Sequence, residues 1–64
     1  MNKTQLERMD SHMVLSIVNE KLRLECDSLE ALLALYELDG GWLGARLAQI
    51  GYRYDPHSNQ FKAA

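Results

Sequence analysis

The chain is poor in the residues that staple small proteins. It has one cysteine, one proline, one tryptophan and one phenylalanine among 64 residues. A lone Cys26 excludes an internal disulfide, and no second thiol lies at metal-ligand spacing. His12 and His57 are far apart in sequence, so no metal or cofactor site is expected. Cys26 reads as a small apolar core residue. No stretch approaches the ~20 apolar residues needed to span a bilayer. Residues 1–10 are polar and of mixed charge, unlike an apolar signal segment. A soluble cytoplasmic protein without membrane contact is the expectation.

Positive charge is scarce as well. Seven bases stand against nine acids, for a formal net charge of −2. That balance argues against strong polyanion binding. The split is uneven: residues 1–39 hold four bases and eight acids, whereas 40–64 hold Arg46, Arg53 and Lys62 against Asp55. The chain also lacks a nucleophile–base–orienter set, a phosphate-cradling glycine loop and paired carboxylates at a plausible cleft. His57 falls in a turn and reads as an exposed turn residue. No enzymatic function is expected.

What is present is helical periodicity. A first main helix is predicted from about Ser11 to Glu25, with Asp10 or Ser11 as N-cap. Val14, Leu15, Val18 and Leu22 make one apolar stripe, and Met13, Ile17 and Leu24 a second beside it. A second helix runs from Leu29 to about Leu38 behind Asp27 or Ser28, and it is apolar nearly all round. Such breadth means burial inside the domain or at an interface. A third helix starts after Asp39 and stops at Gly51, with Leu43, Leu47 and Ile50 as its core stripe. Tyr52 and Tyr54 alternate as in a strand, Asp55 to Asn59 is turn chemistry, and Gln60 to Lys62 returns with Phe61 facing the tyrosines. Residues 1–9 read as a flexible arm, in which Thr4 and Glu7 have the capping-box spacing of a short frayed turn. Residues 10–62 read as one domain.

The expected fold is therefore mainly α. It is a small three-helix domain with helix-turn-helix-like spacing and a C-terminal β-hairpin, winged-helix-like in outline. Leu33 stands where such motifs commonly carry a small residue, and Glu37 where they commonly turn on glycine. Base reading requires Arg, Lys, Asn or Gln near the start of the third helix. That stretch holds Gly40, Gly41, Trp42, Gly44 and Ala45 instead.

Three segments carry a family resemblance. They are Met13 to Arg23, Ser28-Leu29, and Ile50 to Tyr54 with Asn59-Gln60-Phe61. Together they resemble the short bacterial proteins grouped as domain of unknown function 4250. The resemblance spans about residues 10 to 62 and implies a bacterial cytoplasmic protein, but brings no known activity. It draws attention to Ser16, Asn19 and Arg23 on the polar face of the first helix and to Asn59 and Gln60 near the hairpin turn. The preferred reading is that Asn19 or Arg23 hydrogen-bonds the hairpin backbone and fixes its docking, and the alternative is a binding site.

Two functional expectations follow. The first is a non-enzymatic interaction module that associates with itself, or with another protein, through Met13, Ile17, Leu24, Leu35 and Leu38. The motive is that 64 residues leave little to cover so much apolar helix surface. The second is weak, salt-sensitive nucleic-acid binding through Arg46, Gln49, Arg53 and Lys62.

Overall fold

A computed structural model describes residues 2–64. The elements run α1 (Lys3–Glu7), α2 (Ser11–Leu24), α3 (Leu29–Tyr36), α4 (Gly40–Ala48), β1 (Tyr52–Asp55) and β2 (Gln60–Ala63). The three expected main helices and the hairpin are present, and one short helix precedes them.

Side-chain caps set where each helix begins. The Asp10 carboxylate accepts from the His12 amide, Ser28 Oγ from the Ala31 amide, and Asp39 Oδ1 from the Gly41 amide. Each satisfies one donor that a first helical turn leaves without a partner. Of the alternatives at the first two starts, Asp10 and Ser28 are the caps used.

α3 ends earlier than its apolar run suggests. Glu37 takes a left-handed conformation at φ 54°, and the Leu38 amide donates to the Leu33 carbonyl at 2.9 Å. That bond pattern is a Schellman stop, in which the residue after the left-handed one folds back apolar onto the helix. Glu37 thus occupies the turn that glycine usually serves. The other departure is also accommodated: a Cβ on Gly40 would come within 3.0 Å of Leu33 Cδ1. The small residue that lets the two helices approach stands on α4 rather than α3.

The core is built from Leu6, Val14, Val18, Leu22, Cys26, Leu32, Leu38, Leu43, Leu47 and Phe61. Cys26 is a free, buried thiol. Two of these residues correct the sequence reading. Leu38, expected on an association surface, is 7% exposed, because the Schellman turn directs it inward. Leu6 is fully buried, although residues 1–9 read as a flexible arm. It is the apolar residue of α1, whose N-cap is Asn2 rather than Thr4. Met1 lies outside the described residues.

The hairpin is a two-stranded antiparallel sheet with Tyr54 opposite Phe61 and Arg53 opposite Lys62. The Tyr54 and Phe61 rings lie 5.6 Å apart and tilted, a favoured aromatic geometry. Asp55 shapes the turn, accepting from the His57 amide at 3.1 Å and from the Ser58 hydroxyl at 3.0 Å. Those two donors, the His57 amide first, hold its carboxyl below the ordinary aspartate value.

Candidate functional site

The densest polar cluster lies where the hairpin meets α2. Asn19, at mid-helix, donates from Nδ2 to the Phe61 carbonyl at 3.1 Å and accepts the Phe61 amide on Oδ1 at 2.8 Å. A side-chain amide here reproduces the two bonds of a neighbouring strand. Asn59 Nδ2 donates to the Leu22 and Cys26 carbonyls, both at 2.9 Å. The Tyr54 hydroxyl donates to Asn59 Oδ1 at 2.6 Å and accepts the Leu29 amide at 3.3 Å. Gln60 Nε2 reaches the Asn19 carbonyl at 3.0 Å. Asn59 adopts φ 54°, a conformation asparagine tolerates better than most residues.

Of the pair expected to dock the hairpin, Asn19 makes the bond. Arg23 is exposed and makes no hydrogen bond to the hairpin among the described residues. An open groove of about 540 Å³ lies beside this cluster, between Arg23, Leu24 and Asp27 on one side and Ser58, Asn59 and Gln60 on the other. The side-chain NH2 groups of Asn59 and Gln60 are already bonded to backbone carbonyls. Among the described residues no group of three or more His, Cys, Asp or Glu is placed to hold a metal ion.

A second polar cluster ties α2 to α3. Lys21 Nζ donates to Glu25 Oε2 at 2.8 Å and the Tyr36 hydroxyl to Glu25 Oε1 at 2.7 Å. Those bonds, Lys21 first and then Tyr36, hold the Glu25 carboxyl below its ordinary range. The same carboxylate raises Lys21 and Tyr36 above theirs.

The residues expected to meet nucleic acid are dispersed. Arg46 is half-buried and turned toward the chain's own N-terminal segment. Its Nε donates to Ser11 Oγ at 2.8 Å and its terminal nitrogens to the Leu6 and Met9 carbonyls. Its guanidinium also lies 5.9 Å from the Trp42 ring centre, with Lys3 at 6.0 Å, both at cation–π distance. Gln49 is exposed at the end of α4. Arg53 and Lys62 face each other across the hairpin, with Lys62 Nζ 3.6 Å from Asp55 Oδ2. Sequence reasoning missed the inward role of Arg46. Its signal was a lone base one turn beyond a tryptophan.

The apolar side chains left outside are Met13, Leu24 and Leu35, at 56%, 67% and 60% exposure. Met13 and Leu24 lie about three turns apart, so they share one side of α2. Ile17, half-buried, sits between them on that side, and Glu20 completes the row. Val14, Val18 and Leu22 form the neighbouring stripe, in the core.

The chain belongs to the family described as Domain of unknown function (DUF4250), whose profile matches residues 8–61. No curated protein and no solved structure matches it. Among the described residues no helix is long and apolar enough to cross a membrane.

Proposed function

We propose that this chain is a non-enzymatic interaction module whose α2 face associates with a second copy of itself. The observation that carries this reading is the exposure of Met13 and Leu24 on one side of α2, with Ile17 between them. The intervals of four, three and four residues from Met13 through Ile17 and Glu20 to Leu24 are those of a helix–helix seam. Isolated exposed leucines are ordinary, but a row at seam spacing is the usual mark of a contact surface. Leu35 of α3 is the other large apolar side chain left uncovered.

Nucleic-acid binding is the weaker reading. Arg46 is held by the chain's own carbonyls, which leaves Arg53, Lys62 and Gln49 to carry it.

Light scattering across a concentration series tests the proposal. Twice the chain mass is expected at high micromolar concentration. Leu24→Glu should restore the single-chain mass and leave Tm unchanged at concentrations where the parent is itself a single chain, since Leu24 is 67% exposed and contributes little to the core. A single-chain mass for the parent protein throughout that range would overturn the reading.

A further inference from the structure

In an antiparallel ladder, residues alternate between pairs that exchange hydrogen bonds and pairs whose N–H and C=O point away from the partner strand. Phe61 bonds outward to Asn19, which sets the phase of this hairpin. Its partner Tyr54 must then point outward on the opposite edge, and so must Tyr52 two residues earlier. The bond from the Ala64 amide to the Gly51 carbonyl, 2.8 Å, agrees with that phase.

The two edges differ. The β2 edge is closed at Phe61 by Asn19 of α2. The β1 edge presents the amides and carbonyls of Tyr52 and Tyr54, which take no hydrogen-bond partner among the described residues. The side chains of this strand sort cleanly. Tyr52 and Tyr54 pack against the core, while Arg53 is exposed on the outer face. Arg53 lies opposite Lys62, and like charges in that arrangement repel. Lys62 leans to Asp55, whereas Arg53 makes no ion pair among the described residues.

We propose that the outer edge of β1 takes up an extended segment of a partner protein by strand addition, with an acidic side chain opposite Arg53 and apolar side chains opposite Tyr52 and Tyr54. Backbone bonds would hold such a segment and alternate side chains would select it. Arg53 would sit in a non-hydrogen-bonded pair of the new ladder, where facing side chains come closest. A second copy of β1 fits badly. The antiparallel register that uses all four backbone groups sets Arg53 against its own mate. The proposal does not depend on association through α2.

The test is amide hydrogen exchange and chemical-shift titration by NMR on the full chain. The probe is the blocked peptide acetyl-Thr-Val-Glu-Val-Thr-amide, and the control carries Lys in place of Glu. In the free protein the Tyr52 and Tyr54 amides should exchange quickly, and saturating probe should slow both. The Glu peptide should bind about fivefold more tightly than the Lys peptide, and Arg53→Glu should invert that order. Three results would each overturn the proposal. They are protection of both amides in the free chain, no saturable shift at β1 by several millimolar peptide, and an order that Arg53→Glu leaves unchanged. Protection that grows with protein concentration would assign the edge to self-pairing instead, and would also overturn it.

Discussion

At the hairpin end of the molecule, two short neutral amides hold the chain to α2. Asn19 closes the Phe61 backbone, and Asn59 closes two carbonyls at the end of the helix. At the other end, one long cation from α4 gathers the Leu6 and Met9 carbonyls and the Ser11 hydroxyl. Both arrangements join a short element to the helices through side chain–backbone bonds, and both sit beside a buried apolar anchor, Phe61 or Leu6. They differ in stiffness. An asparagine fixes few torsions to make two bonds, while an arginine must order a flexible stem, which costs more conformational entropy. The hairpin junction is therefore expected to be the more rigid of the two, and the N-terminal segment the first to open.

Substitutions at the two junctions put that ordering to the test. Asn19→Ala leaves the Phe61 amide and carbonyl without partners and should cost about 2 kcal/mol. Denaturant unfolding would measure this, with faster exchange of the Phe61 amide as its local sign. Asn19→Asp, which keeps the acceptor but loses the donor, should not rescue it. Arg46→Ala should cost about 1 kcal/mol, since removing a half-buried side chain opens the site and lets water reach the carbonyls it had bonded. The Trp42 emission should change as residues 3–7 loosen. If Arg46→Ala proved the costlier change, the cation rather than the amide would be the principal fastening.

The smallest effect concerns the bridge between α2 and α3. Glu25 is held below the ordinary glutamate value of 4.5, so its contribution is complete above that pH and is lost as pH falls through the lowered native value. Lys21 is raised above 10.5, so its contribution is complete below that pH and is lost as pH rises through the raised value. Stability should decline in acid below about pH 4.5 and again in strong base. Thermal melts should show Glu25→Gln flattening the acid decline, because the variant loses a little stability at neutral pH, where the bridge is complete, and matches the parent in acid. An unchanged acid limb would move the effect to other carboxylates, Asp55 first.

Much of the scaffold was legible because it rests on local rules. Caps at Asp10, Ser28 and Asp39, the stripe of Val14, Val18 and Leu22, and the turn from Asp55 to Asn59 each follow from neighbours within a few residues. Leu38 misled because the αL turn before it is formed by Glu37, a residue that seldom adopts that conformation. Leu6 misled because a five-residue helix has no periodicity to read. The surface was only partly legible. The sequence offered Asn19 or Arg23 as the hairpin clamp and left the choice to the structure, and whether Arg46 faced solvent or its own chain depended on where residues some 35 to 40 positions away came to rest. The apolar row on α2 was visible as excess breadth, and the fold leaves Met13 and Leu24 outside.

Asn59 carries one more implication, for the order in which the chain acquires its shape. The Leu22 carbonyl at the end of α2, and the Cys26 carbonyl just beyond it, are bonded by a residue 37 and 33 positions further along. During synthesis, a chain that has not yet reached position 59 has no means of making those bonds. The final turn of α2 and the hairpin should then order together, late and in one event, rather than as two pieces assembled in sequence.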